Sequence, residues 1–503
     1  MSLIRKVGDS GCYQWSIYIL MFGYWVFNGL GIINIAFLFI NPGFDCTTLG
    51  VPQLNCEHHI CTHFPDESQW PAHEAEKTIE SLVTEFGPFH CQHNYIIGPI
   101  RALMFLGWFL STLVQVFKVS QLGKRRLILI SLSFTVAGSL MLVLSWNMAV
   151  AAVGLFVLGL GNFTIVRFAY AIISEITERG LASKFTSCLP VGVTTGGIVL
   201  SYFYTLVKHW RFMTLYFQLI PSAILLLITF FLLEDPPESL LKTKDPEGIQ
   251  QTLNKIGRIN KEEDNLISER EVQEYLQEAE NVNQIKESTD PLDLCRYPSL
   301  RRETIAFMII EMLLQMNYFS AGVIASRYGF SASLNLILLN CAEYAIVPFL
   351  IVFSPKVKRK LFGILGMSLS GLLSFITVTI EVPPNCEDSC QEVFWQVGLM
   401  VMTRFVFNAL FCIYMVGQVE FYPVMIRSVA FGSIGLLGSL GIALTQILFV
   451  DSEELGINPF LLRGIIFSLS TIVYFWVPET LGVESRDYIR EVEEELERKE
   501  KEE

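Results

Sequence analysis

Residues 116–126 read Val-Phe-Lys-Val-Ser-Gln-Leu-Gly-Lys-Arg-Arg, and residues 354–360 read Ser-Pro-Lys-Val-Lys-Arg-Lys. Each is a short basic link between two long apolar runs. Lysine and arginine in short links hold those links on the cytosolic side of a membrane. The two links lie half the chain apart, so the sequence predicts an internal repeat with its first basic turn after the second helix of each half.

Working outward in both directions, apolar runs of about 20 residues follow one another, the length that crosses the hydrocarbon of a bilayer. The predicted spans are 14–38, 96–117, 127–146, 148–172, 185–207, 212–233, 303–325, 332–353, 361–381, 393–418, 428–450 and 459–477. The second carries Arg101 near its start, and the seventh carries Glu311, Gln315 and Asn317. Composition agrees: of 503 residues, 52% are hydrophobic and 17% charged, whereas a soluble domain has about 25% charged residues. The expected fold is an all-α integral membrane protein of twelve helices in two six-helix halves. The run 14–38 is too long for the apolar core of a signal peptide and reads as a retained first helix.

If the helices alternate, both basic links and both termini face the cytosol. The expected organisation is an N-terminal half over 1–233, a cytosolic linker over 234–302, a C-terminal half over 303–478 and a charged cytosolic tail over 479–503. In the linker, Ile249 to Ile256 and Leu266 to Leu276 alternate apolar and charged residues at helical spacing, which predicts short amphipathic helices beneath the bundle; a flexible linker is the alternative. The net charge of −13 gathers in the linker and the tail and serves solubility. No basic patch points to nucleic acid. No phosphate loop, HExxH or nucleophile elbow points to an enzyme, and no cofactor is implied.

The segment 39–95 is a long loop on the opposite, non-cytosolic side. It holds Cys46, Cys56, Cys61 and Cys91 and six of the seven histidines. Disulfides are allowed on that side, and Cys386 and Cys390 face it too. Two loop disulfides with a third bridge, a zinc site and free thiols all remain open. The loop has no Asn-x-Ser/Thr acceptor, which leaves the mitochondrial inner membrane as an alternative to the plasma membrane.

Polar groups inside a membrane are costly and mark function by default. The candidates for a substrate cavity are Arg167, Glu311, Gln315, Asn317, Tyr318, Glu343 and Tyr414. Arg167 reads as an anion contact or as the partner of a carboxylate, with Glu343 the best long-range choice. Arg404 reads as a pair with Glu420 that ties helices together. Gln315 and Asn317 read either as cavity lining or as hydrogen bonds between helices.

Several stretches resemble the organic cation/anion/zwitterion transporter family of the major facilitator superfamily. Ser81–Phe86 running to Cys91 is similar to that family's stretch before helix two. Gly159-Leu160-Gly161 with Ile173-Ser174-Glu175 resembles its fourth helix and the link after it. Trp210-Arg211, Pro236–Ser239, Lys255–Asn260, Glu420–Arg427 and Pro478-Glu479-Thr480 resemble further motifs. The resemblance covers nearly the whole chain. It implies two halves around a central cavity that move by alternating access, a small organic ion or solute as substrate, membrane lipids as surroundings and the plasma membrane as home. It also implies a cytosolic gate that uses Glu175, Arg404, Glu420 and Arg427. The chain departs from the family where the gate's aspartates belong: those positions are Ser120 and Ser354. The position on helix eleven where the family often carries a charge is near Ser439. The competing reading is a transport-incompetent homologue that serves as a structural subunit of a membrane protein complex.

Overall fold

The computed structural model describes residues 6–8, 10–40, 80–86, 94–177, 181, 185, 188–235, 246–262, 267–274, 276, 293–296, 298–325, 330–353, 357–380, 390–422, 427–450, 452 and 456–481. Twelve long helices among them form the body: α1 Cys12–Leu38, α2 Asn94–Leu122, α3 Lys124–Val143, α4 Met148–Ile176, α5 Pro190–Leu206, α6 Trp210–Leu232, α7 Pro298–Val323, α8 Ala332–Phe353, α9 Arg359–Val378, α10 Gln391–Phe421, α11 Arg427–Val450 and α12 Pro459–Tyr474. Eight are long and apolar enough to cross a membrane, and α4, α8 and α12 contain shorter apolar runs.

Local chemistry sets the ends. Asn147 caps α4 by accepting from the Val150 N–H, and Asn458 caps α12 just before Pro459, each satisfying a donor the helix itself cannot. Gly123, at φ 74°, separates α2 from α3 in a conformation that suits glycine. The charged turn Lys124–Arg126 belongs to α3 rather than to a link, because the Arg125 N–H donates to the Asp235 carboxylate at 3.1 Å. In α6 a wide turn, Leu215–Leu219, precedes Pro221, whose missing N–H breaks the regular ladder there.

Helix packing repeats after six helices. α1 packs on α4, α5 and α6, α4 on α2 and α3, and α3 on α6. Correspondingly α7 packs on α10, α11 and α12, α10 on α8 and α9, and α9 on α12. The halves meet along two seams, α2 with α11 and α5 with α8, which exchange when six is added to each number. A parallel repeat about an axis along the membrane normal has this pattern.

The four outer helices α3, α6, α9 and α12 present apolar side chains outward, including Phe134, Leu227, Phe231, Leu365, Leu372 and Leu469. Such a belt is an aggregation surface in water and faces lipid here. Between helices inside a membrane, apolar burial gives little drive and close packing takes over. At Gly159 of α4, a Cβ would stand 2.0 Å from the Met104 carbonyl oxygen of α2. Gly159→Leu is therefore expected to push α2 and α4 apart at a cost of ~1–3 kcal/mol; reduced monodisperse yield and a lower Tm in detergent check it.

Residues Pro246–Ile259 form a helix with Ile249, Leu253 and Ile256 buried. These residues share a core with Val7, Tyr13 and Ile17 at the start of α1. Asn260 fastens the junction: its side-chain carbonyl accepts from the Tyr13 N–H at 2.9 Å, and its amide donates to the Val7 and Gly8 carbonyls.

Candidate functional site

A cluster of buried polar side chains lies between the halves. Arg404 lies near the middle of α10 and Glu343 near the middle of α8. The Arg404 Nη2 donates to the Glu343 Oε1, and Nη1 donates to the Tyr318 carbonyl of α7 at 3.0 Å. Its guanidinium carbon stands 3.7 Å from the centre of the Tyr318 ring, a stacking arginine forms better than lysine. The Tyr318 hydroxyl donates to Glu343 at 3.2 Å. From the other half, the Thr194 hydroxyl of α5 donates to Glu343 at 2.7 Å. One carboxylate thus gathers α5, α7, α8 and α10.

This corrects two sequence expectations. Glu343 pairs with Arg404, a partner not expected for it; the side chain of Arg167 lies outside the described residues. Arg404 does not pair with Glu420. It sits at mid-helix, and Glu420, a few turns further along α10, accepts from Arg359 of α9 at 2.9 Å.

A cavity of about 560 Å³, counted to its open mouth, adjoins Arg404. Its polar lining is Arg101 of α2, Tyr318 of α7, Asn340 of α8, Arg404 and Gln446 of α11, and its apolar lining includes Ile32, Ile35, Phe105, Val193, Phe319 and Leu339. Both seams border it. Arg101, 6% exposed, donates its Nε–H to the Gln446 Oε1 at 3.1 Å across the α2–α11 seam. A second space of about 270 Å³ shares Arg101, Ala36, Gly322 and Val323 and continues past Phe39 and Ala332, toward the end where the 39–95 segment begins.

Of the predicted cavity residues, Tyr318 lines this space and Glu343 stands behind it on Arg404. Glu311, Gln315, Asn317 and Tyr414 do not line it. Gln315 donates to Glu311 at 2.8 Å on the same helix, and both lie against Gly438 of α11. Asn317 donates to the Ser470 hydroxyl of α12 at 3.1 Å. Tyr414 is fully buried and donates to the Phe307 carbonyl at 3.0 Å. Arg101, Asn340 and Gln446 were not among the predicted site residues; the signal for Arg101 was its charge inside the second span. The side chains of Glu175 and Arg427 lie outside the described residues, as do Cys46, Cys56, Cys61, Cys91 and Cys386. Cys390 caps the start of α10. No group of metal-ligand residues occurs among the described residues.

Two corresponding turns show how the basic links are held. At the start of α3, Asp235 accepts from the Arg125 N–H, and the Arg125 guanidinium donates to Glu234 at 3.3 Å. At the start of α9, Glu479 accepts from the N–H groups of Arg359 and Lys360 at 2.9 and 3.2 Å. A carboxylate at a helix N-terminus meets unpaired N–H groups and the positive end of the helix dipole. The acids that meet these arginines therefore come from the ends of α6, α10 and α12.

On the opposite end of the N-terminal half, the short helix Leu82–Glu85 is held over the bundle. Glu85 accepts from Arg211 Nε at 2.9 Å and from Trp210 Nε1 at 2.7 Å, while Arg211 also donates to the carbonyls of Val143 and Ser145. Burial resists ionisation of Glu85, but the Arg211 and Trp210 hydrogen bonds outweigh it and hold the carboxyl below its usual range. This stabilisation is fully present above the unfolded carboxyl's value of about 4.3 and is lost as pH falls through the lower folded value. The carboxylate is about one-third exposed, so solvent screening limits the contribution to about 1 kcal/mol. Glu85→Gln is expected to lower Tm at pH 7 and to flatten its decline in acid, which thermal unfolding across pH 3–7 checks.

The family described as sugar (and other) transporter matches residues 32–491. The chain belongs to this family. Solute carrier family 22 member 4 of Mus musculus is 21% identical over 460 residues, covering 90% of this chain and 77% of that protein. The glucose transporter GlcP of Staphylococcus epidermidis is 26% identical over 383 residues, covering 72% and 81%. In shape, this family member is similar to the partially occluded, inward-open xylose transporter XylE of E. coli, with a TM-score of 0.64 at 14% identity and coverage of 93% and 99%. The fold is that of the major facilitator superfamily, and this multi-pass membrane protein is a secondary transporter of small organic solutes rather than an enzyme.

Proposed function

We propose that the substrate is a small organic anion, carried at the plasma membrane by alternating access of the two halves about the cavity. The observation that carries this reading is the cavity wall. It brings one guanidinium from each half, Arg101 and Arg404, together with the amides of Asn340 and Gln446, and includes no carboxylate among the described residues. Arginine binds carboxylates through paired donors. The Arg404 Nε is buried with no hydrogen-bond partner, so a bound acid would supply the missing acceptor. The apolar remainder suits an aromatic or aliphatic body. An organic cation would find no counter-charge among the described residues of this wall, and a sugar would leave hydroxyls against isoleucine, phenylalanine and leucine. No observation favours the structural-subunit alternative, and the relatives described above are transporters by name.

The same reading puts the termini and the 234–302 linker in the cytosol and the 39–95 segment outside, with a Cys386–Cys390 bridge. Cys390 is not among the free thiols of the described residues, which are Cys12, Cys188, Cys341 and Cys412. Thermal-shift titration of the purified protein against monocarboxylates, organic cations and hexoses tests the substrate class. Saturable stabilisation by carboxylates is expected. Stabilisation by cations or hexoses alone would contradict the reading.

A further inference from the structure

We propose that the preferred anion is a hydroxy acid, selected by the side-chain carbonyl of Asn340; this rests on the anion reading above. The two amides on the cavity wall each have their polarity fixed by a partner within the protein. Asn340 Nδ2 donates to the carbonyl of Leu336, one turn earlier on α8, at 2.7 Å. A carbonyl takes only a donor, so the amide cannot be turned round, and its Oδ1 has no hydrogen-bond partner among the described residues. Gln446 is set the other way. Its Oε1 accepts from Arg101 Nε across the α2–α11 seam, which leaves the Nε2 donors for the cavity.

The wall is therefore uneven in hydrogen-bond character. Arg101, Arg404 and Gln446 bring donors to it, whereas Asn340 brings an acceptor. A carboxylate has only acceptor oxygens, so it suits the arginines and cannot serve Asn340. Water supplies a donor to Oδ1 while the cavity is open. A substrate that displaces this water must replace its hydrogen bond or lose affinity, because Asn340 is only 4% exposed and a buried acceptor without a donor is costly. A hydroxyl meets the need: it donates to Oδ1, and its own oxygen accepts from a neighbouring donor. An ammonium would also donate, but it would bring a positive charge against two guanidiniums, with no carboxylate on the wall among the described residues. One acceptor asks for one hydroxyl, and the apolar lining takes the rest of the molecule.

The Asn340 amide is held from both halves. Its bond to Leu336 fixes it along α8. From the opposite half it lies against Gly197 of α5, where a Cβ would stand 2.8 Å from both Nδ2 and Oδ1. Gly197 does not line the cavity. It is a positioning residue, since the space left by its absent side chain is where the amide rests.

The test uses the purified full chain and sets of three acids that share one carbon frame. The first set is phenylacetate, its α-hydroxy form mandelate, and the methyl ether of mandelate, which keeps the oxygen but cannot donate. The other sets carry the hydroxyl or methoxyl at the meta or para position of the ring, so that the donor is offered at several distances from the carboxylate. In at least one set the hydroxy acid is expected to bind about three- to tenfold tighter than both its ether and its parent, the range of a neutral hydrogen bond. Asn340→Leu is expected to bring that hydroxy acid and its ether to equal affinity. Gly197→Ala, which displaces the amide from outside the wall, is expected to shrink the preference while the parent acid still binds. The comparison of acids on the unaltered protein stands even if a variant fails to fold. Carboxylate binding with no hydroxy acid preferred in any set, or a preference unchanged in Asn340→Leu, would overturn the proposal while leaving the anion reading intact. A protein that binds none of these acids but binds an organic cation or a hexose overturns the anion reading, and the selection by Asn340 with it.

Discussion

Arg404→Met is expected to abolish carboxylate uptake and to destabilise the folded protein by about 3–5 kcal/mol, the cost of leaving one partner of a buried ion pair uncompensated. The loss is twofold because Arg404 faces two ways. Toward the core it neutralises Glu343 and lies on the Tyr318 ring. It also lines the cavity, and its Nε–H is a buried donor without a partner. Arg404→Lys keeps the charge but loses the fork that reaches Glu343 and the Tyr318 carbonyl together, so partial recovery of stability with little recovery of uptake is expected. Adding Glu343→Gln to Arg404→Met removes the orphaned charge and should restore part of the stability, with the two sites coupled well beyond additivity. Thermal unfolding and uptake measured on the same preparations check this. Normal stability of Arg404→Met would show that the pair does not form.

Arg101→Met is expected to weaken carboxylate binding by about 10- to 100-fold, the range set by a hydrogen bond to a charged group. Its effect on stability should be smaller than that of Arg404→Met. Arg101 lies nearer one end of its helix, where a charge in the membrane costs less than at mid-helix, and one of its contacts is the neutral amide of Gln446. The change should therefore separate binding from folding, which the Arg404 variants do not. Titration of benzoate against the purified variant, with Tm followed in parallel, is the check; unchanged affinity would remove Arg101 from the substrate site.

The twelve helices were legible because a bilayer demands long apolar runs and tolerates few alternatives. The two basic links pointed to the repeat of two six-helix halves. Glu343 and Arg404 were legible as suspects, since each is a charge in an apolar run. Their partnership was not. They lie on different helices and are brought together by the packing of α8 against α10, so a count along the chain favoured Arg167 for one and Glu420 for the other. Arg101 was visible only as a blemish near the start of a predicted span, because hydropathy reports cost and not direction. Two serines, Ser120 and Ser354, stand where the family's gate aspartates belong. Arg125 and Arg359 in fact meet Glu234, Asp235, Glu420 and Glu479, acids that sit at helix ends outside the motif.

The central claim is that this chain moves organic anions through the cavity between its halves. Counterflow tests it most directly: liposomes carrying the purified protein are loaded with unlabelled benzoate, and entry of external labelled benzoate is followed. Saturable entry, accelerated by the internal load and lost in Arg404→Met, is expected. Entry no faster than into protein-free liposomes, together with accelerated exchange of an organic cation or a hexose, would contradict it.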